Sequence, residues 1–366
     1  MNNTGTPAVE VENLTKNYGP VTALKAVNCS VESGQYFVLL GPSGGGKTTL
    51  LRLIGGFIRP SAGRVFLHGE DVSALPPNRR PTSMVFQSFA LFPHMNVEQN
   101  VGYGLKLRKV PREDMREQVR QMLSLVGLDG YERRMPHELS GGQQQRVQLA
   151  RSLVLERDVL LLDEPLAALD AKLRKDMCIE LKRIQEKIGI TFIHVTHNQE
   201  EAMTIADRIA IIADGQLVEE GTPREIYERP VRRFTASFVG ENNLLDGHVV
   251  ASAAGRVTLD LGFARIDVDA GSTTTGEGDA ASVSVRSELL TLAVQDDIAG
   301  GDVQTIPASY VEKVYLGLTT LHLVRLPNDT EVTVRQVAEH GPEGPFAAGD
   351  AVRIQWPTSA AHLHTD

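Results

Sequence analysis

The chain has 366 residues, enough for two or three domains with cores of their own. Its two cysteines, Cys29 and Cys178, form no disulfide framework and lack metal-ligand spacing, as expected for a reducing compartment. No apolar run approaches the ~18 residues of a membrane span, and the opening Met1-Asn-Asn-Thr-Gly-Thr-Pro has neither the basic nor the apolar stretch of a secretory leader. Any membrane association is therefore expected through a partner. The net charge of −9 is unevenly held: from Glu241 onward there are 7 Lys/Arg and 18 Asp/Glu, a balance of −11, which leaves +2 before it. That shift predicts a domain boundary near residue 240, giving domains 1–240 and 241–366. It also argues against nucleic acid as a partner of the acidic part.

In chain order, residues 8–40 read as β structure. Val9-Glu-Val-Glu alternates, Ala26–Val31 is a second candidate, and Tyr18-Gly19-Pro20 lies in the turn between. Tyr36-Phe-Val-Leu-Leu is an apolar run of buried-strand type. Gly41-Pro42-Ser43-Gly44-Gly45-Gly46-Lys47-Thr48 follows, and Thr49-Leu50-Leu51-Arg52-Leu53-Ile54 continues at helical spacing until Gly55-Gly56. A strand entering a glycine-rich loop that opens a helix is the setting of a phosphate-binding P-loop. The glycines let successive N–H groups face one concavity, and the helix start adds partial positive charge. Lys47 then supplies a full charge to the β- and γ-phosphates, and Thr48 a hydroxyl to Mg²⁺. This predicts nucleotide binding and says nothing of its purpose.

Arg64–Leu67 is strand-like, Leu75-Pro76-Pro77 a turn, and Thr82–Gln87 a strand ending on glutamine. Residues 96–155 turn helical. Pro111-Arg-Glu-Asp starts one helix, with acids near its positive end and a stripe of Met115, Val119, Met122, Leu123 and Val126. Leu139-Ser140-Gly141-Gly142-Gln143 opens another, through Val147, Ala150, Leu153 and Val154. Ser140 and Gln143 have capping-box spacing. That does not explain two glycines in a first turn, each costing about 1 kcal/mol against alanine; an anion approaching the backbone does. Val159-Leu-Leu-Leu is a buried strand ending in Asp163 and Glu164. With adjacent strand residues facing opposite ways, Asp163 is expected to hold Mg²⁺ or its water and Glu164 to take a proton from attacking water.

Asp170–Ile188 is an amphipathic helix on Leu173, Met177, Leu181, Ile184 and Ile188. Ile190–Val195 is a strand, Asn198–Ala206 a short helix with an N-cap and Glu201 three residues on, and Ile209–Ile212 another strand. Strands alternating with helices imply a parallel α/β sheet. After 240 the segments are short and β-like (Leu244–Val250, Val283–Val285, Val303–Val311, Thr319–Leu326 and Val352–Trp356), as in small barrels. Gly271-Ser-Thr-Thr-Thr-Gly reads as an exposed loop.

Two phosphate-binding surfaces in one chain can meet one phosphate only if they lie together or a second copy supplies one of them. The set resembles the ATP-binding subunit of ABC transporters, in which the P-loop of one subunit and the L-S-G-G-Q of the other enclose each ATP. The resemblance implies an α/β P-loop NTPase with a parallel-sheet core, a helical subdomain inserted at about 88–155, and a small all-β, OB-like domain of the TOBE type. Tyr18 then matches the aromatic that stacks on adenine, and Gln87 the glutamine that touches Mg²⁺ and senses the membrane partner. Asp170, in Ala168-Leu169-Asp170, matches the aspartate facing the opposite subunit, and His197, in Val195-Thr196-His197, the γ-phosphate histidine.

Val285-Arg286-Ser287-Glu288 echoes a V-R-P-E element of importer ATPases, with serine for proline. Lys172-Leu-Arg-Lys-Asp-Met followed by Gly189-Ile-Thr-Phe looks most like the spermidine/putrescine group, with iron(III), thiosulfate/sulfate, phosphonate and sugar importers remaining open. Implied partners are a second copy, two permease subunits and, indirectly, a solute-binding protein, at the cytoplasmic face of the cell (inner) membrane. Implied catalysis is hydrolysis of MgATP by Glu164 with Lys47, Gln87 and His197. A soluble ABC ATPase acting on DNA or ribosomes is the rival; the single cassette, the mere ninety or so residues between Gly46 and Ser140, and the acidic end speak against it.

Overall fold

The computed structural model describes residues 5–88, 90–253, 255–271, 275–294, 302–338 and 346–366. Its contacts divide the chain into Met1–Arg224 and Glu225–Asp366. The division falls before the change in charge near 240, because helix Arg233–Phe238 packs on strands of the second unit.

The first unit begins with strands β1 (Val9–Tyr18), β2 (Val21–Val31) and β3 (Tyr36–Leu40), helix α1 (Lys47–Ile54), and strands β4 (Ala62–Leu67), β5 (Glu70–Asp71) and β6 (Thr82–Val85). Helices α2 (Val97–Leu107), α3 (Arg112–Leu125) and α4 (Gly141–Leu153) follow. The unit ends with β7 (Val159–Asp163), α5 (Ala171–Ile188), β8 (Thr191–Thr196), α6 (Gln199–Ile205), β9 (Arg208–Ala213) and β10 (Gln216–Gly221). The main sheet runs β10-β9-β3-β8-β7-β6, with β10 antiparallel and the other five strands parallel. Every residue of β3, β7 and β8 is buried, as a parallel sheet covered on both faces requires.

A second, antiparallel sheet, β2-β1-β4-β5, shares a core with it: Val9, Val11, Leu14, Leu24 and Val65 cluster with Phe37, Leu50, Leu53, Leu161 and Ile212. Helices α2, α3 and α4 pack on one another, and α4 also on β6. Four local readings shift. Tyr18 is the last residue of a strand rather than part of the turn. Thr82–Gln87 ends at Val85, so Gln87 stands in the loop beyond. Asp170 and Pro111 stand one residue outside their helices, as N-caps.

The second unit is all-β beyond its short helices. Strands β11 (Asn242–Ala253), β12 (Arg256–Asp260), β13 (Arg265–Asp269), β14 (Ala280–Arg286) and β20 (Ala361–His364) form a sheet in the order β13-β12-β11-β14-β20. Strands β15 (Thr291–Val294), β16 (Val303–Tyr315), β17 (Thr319–Arg325), β18 (Glu331–Val337) and β19 (Ala351–Pro357) form another in the order β15-β19-β16-β17-β18. Both sheets feed one core around Trp356, with Leu259, Val283, Ile306, Val334 and Ile354. The loop read at Gly271–Gly276 has residues 272–274 outside the described residues.

The Val285–Glu288 element proves to be a clamp. Buried Arg286 donates to the carbonyls of Tyr227 and Val239 and lies 4.1 Å over the Tyr227 ring, whose hydroxyl donates to Glu288 Oε1 at 2.6 Å. Ser287 donates its N–H to the Glu241 carbonyl at 3.2 Å, a bond that proline could not make. Replacing Arg286 by alanine strands two carbonyls, each costing about 1–3 kcal/mol when left unpaired. Arg286→Ala is therefore expected to lower the stability of this unit by about 2–4 kcal/mol in denaturant unfolding; a change below about 0.5 kcal/mol, the range of an ordinary surface substitution, contradicts the clamp.

Candidate nucleotide site

The parallel strands deliver their C-terminal ends to one edge of the sheet, where ligands of such sheets bind. Gly41 leaves β3, Gln87 follows β6, Asp163 ends β7 and Thr196 ends β8. The loop's glycines are required for two reasons. A Cβ at Gly41 would fall 2.0 Å from the Ile212 carbonyl oxygen, and one at Gly45 2.7 Å from it. At Gly46, with φ +109°, it would meet the Ala23 carbonyl and the Leu24 side chain, both at 2.8 Å. Gly44 has open space around it and is needed for its φ of +78° alone. Pro42, Ser43 and Gly44 form the outer part of the loop, while Thr48 and Thr49 sit half-buried in the first turn of α1.

Lys47 is 4 % exposed, and its Nζ donates to the Gly41 and Pro42 carbonyls, each at 2.8 Å. Burial lowers its pKa, and Glu164 and Asp163 oppose that shift. Thr48 Oγ1 donates to Asp163 Oδ1 at 3.0 Å, and Arg52 Nη2 stands 3.8 Å from Oδ2. Burial raises the Asp163 pKa against both contacts.

Glu164 is the first residue off the strand and has a φ of +45°, a conformation that costs a non-glycine residue on the order of 1–3 kcal/mol. Its N–H is tied to the Val195 carbonyl at 3.1 Å. Its Oε2 takes a hydrogen bond from Gln87 Nε2 at 3.3 Å and lies 3.4 Å from His197 Nδ1. Residues 77 and 33 positions away in the chain thus grip one carboxylate oxygen.

The remaining expected residues make their contacts with other groups. Tyr18 is 49 % exposed under the Lys16 ammonium at 5.0 Å; it closes the β1–β2 hairpin whose Ala23 and Leu24 back Gly46. Asp170 Oδ1 accepts from Leu173 N at 2.9 Å as the cap of α5. Ser140 and Gln143 form the expected capping box, with bonds of 3.0 and 3.4 Å, and Gln143 Nε2 also reaches Tyr131. A Cβ at Gly142 would meet Leu173 at 3.2 Å. Packing inside the chain thus favours a small residue at Gly142, beside the argument from close approach that Gly141 and Gly142 share.

Reading the sequence missed Arg174 and Thr196. It placed Glu201 only as a residue of the α6 start, and nothing local pointed to its side chain. Thr48 and Asp163 themselves offer only oxygens, which suits a hard cation such as Mg²⁺ completed by phosphate and water. Among the described residues no group of three or more His, Cys, Asp or Glu could hold a metal unaided, and no helix is long and apolar enough to cross a membrane.

Comparison with known proteins gives the family. The family model described as ABC transporter matches residues 24–167, and that described as TOBE domain matches 283–363. The spermidine/putrescine import ATP-binding protein PotA of Thermobifida fusca is 45 % identical over 97 % of this chain and 92 % of its own. That of Mesorhizobium japonicum is 44 % identical over 98 % of each. Among solved structures, cbiO1 of Clostridium perfringens, part of an ABC transporter complex, superimposes with a TM-score of 0.57 at 31 % identity over 60 % of this chain and 90 % of that one. An ATP-binding cassette solved as a post-hydrolysis dimer with ADP and Pi gives 0.53 at 32 % identity over 59 % and 99 %. With two such domains and relatives matched over nearly its whole length, the chain belongs to the ABC transporter family as an ATPase cassette followed by a TOBE domain.

Proposed function

We propose that the chain is the ATP-hydrolysing subunit of a polyamine importer, acting as a dimer on the cytoplasmic side of the membrane beneath two permease subunits. The observation that carries the catalytic reading is Glu164, held by Gln87 and His197 beside the Thr48–Asp163 pair. The cargo rests on the spermidine/putrescine names of relatives matched over 97–98 % of the chain.

Lys47 turns its ammonium from the loop carbonyls to the phosphate oxygens. Thr48 and Asp163 would hold Mg²⁺, with Gln87 beside them; the ion, when bound, offsets charge on the phosphates. With Gln87 and His197 both on Oε2, Glu164 presents Oε1 to water and takes its proton there. His197, steadied through Nδ1, presents Nε2 to the γ-phosphate. Tyr18 supplies the adenine contact. Ser140, Gly141, Gly142 and Gln143 of a second copy, approached past its Asp170, cover the phosphate's free side.

Permease docking falls to the helical segment. A cleft of about 620 Å³ opens there beside His94, Gln99, Tyr103, Lys106 and Met115, and Phe92, in the apolar run after Gln87, packs on Tyr103 at 4.7 Å. Phe89 of that run lies outside the described residues.

Two measurements test the reading. Glu164→Gln is expected to bind ATP as the parent does and to turn over about 10²- to 10⁴-fold more slowly; equal turnover removes Glu164 from the proton transfer. Labelled spermidine should enter cells carrying this chain and its permeases, and uptake should fall with Glu164→Gln. Uptake of another solute with none of spermidine would replace the cargo and leave the ATPase standing.

A further inference from the structure

A second layer of polar contacts lies behind the Glu164–His197 pair, in a part of the chain to which the mechanism gives no task. Glu201, on α6, is 5 % exposed, and its Oε2 accepts from the Thr196 hydroxyl at 2.6 Å. That hydroxyl accepts the Asn198 N–H at 3.0 Å, and Asn198 Oδ1 accepts the Glu201 N–H at 3.1 Å. These bonds fix the turn on either side of His197. From the other side Arg174 Nε stands 3.5 Å from Glu201 Oε1, while Arg174 Nη2 donates to the Leu169 carbonyl at 2.8 Å, one residue before Asp170. A cavity of about 30 Å³, room for one water, lies between this layer and the site, lined by Glu164 and His197 on one side and by Arg174, Thr196 and Glu201 on the other.

Which charge answers Glu201 can be decided. His194 Nε2 is 3.7 Å away, but its ring is fully buried and held neutral, with its pKa lowered by burial to about 3. Arg174 is therefore the counter-charge. Its Nε and His194 Nε2 make no hydrogen bond among the described residues, and each lies within 4.0 Å of this one carboxylate. Holding α5 against α6 would need no such pair, because apolar side chains of similar volume do that as well. What hydrocarbon could not do is grip a carbonyl and a hydroxyl, and through them orient two separate turns.

We propose that Glu201 and Arg174 are positioning residues that couple the turn presenting His197 to the loop presenting Asp170. This rests on the hydrolytic reading of Glu164 and His197. The consequence is that a shift of the Leu169–Asp170 loop, the part of the chain offered to a second copy, is passed through Arg174 and Glu201 to Thr196, and so to the group beside Glu164.

The full-length chain with Arg174→Ala, Glu201→Gln, and both together tests this. Glu201→Gln keeps an acceptor for Thr196 and removes the charge that Arg174 answers. Each single variant is expected to lower kcat about 10- to 100-fold, the scale of a misplaced catalytic group, with ATP affinity close to the parent's; Arg174→Ala, which leaves a buried carboxylate without its counter-charge, is also expected to lower Tm, so turnover is compared well below each variant's Tm. The double variant should be no slower than the slower single one. A double variant slowed by the product of the two effects overturns the coupling, as does turnover that falls only in step with Tm or affinity. Amide exchange over residues 165–171 and 196–200 reads the tie without turnover: Arg174→Ala should raise it in both stretches, and a rise confined to the first overturns the inference. A parent chain that hydrolyses no ATP refutes the functional reading instead, and the exchange result still decides the coupling.

Discussion

Strands Tyr36–Leu40, Val159–Asp163 and Thr191–Thr196 are buried along their whole length, so any charge they carry can meet water only where they end. Their parallel order puts those ends on one edge of the sheet. From that constraint follow the P-loop after the first, Asp163 and Glu164 at the second, and Thr196 and His197 at the third. The glycines fit the same constraint from behind, since Gly41 and Gly45 have no room for a Cβ against the Ile212 carbonyl of the neighbouring strand.

The edge is electrostatically tight. Burial lowers the pKa of Lys47 and raises that of Asp163, so each charged form is disfavoured by its surroundings and supported by its neighbours. Glu164 adds a strained backbone. Sites of this kind give up stability for a poised arrangement of charge, and the buried clamp of Arg286 in the other unit shows the opposite use of a cation: saturated by carbonyls, it holds chain to chain.

Much of this was legible in the residues. The strand–loop–helix setting of Gly41–Thr48, the carboxylates after Val159–Leu162, the Ser140 capping box and the Asn198 cap are local patterns, and local patterns survive folding. The order of the motifs along the chain gave the family. What could not be read is long-range. Leu173 packs against Gly142, Glu201 turns to Thr196 and Arg174, and Ser287 stands in place of proline where its N–H reaches Glu241. Strands β13 and β15 of the second unit also escaped, because runs of four or five residues carry little periodic signal.

The account finally depends on two copies completing one another. The hydrogen bonds of Ser140 and Gln143 close within their own segment, at Tyr131 and at each other, leaving the start of that helix unused by the chain's own P-loop. Light scattering on Glu164→Gln with and without MgATP measures the point directly. The account predicts a shift from the mass of one chain to that of two when nucleotide is added, reversed by its removal. A mass that stays at one chain while nucleotide is bound, also with the permease subunits restored, would contradict it.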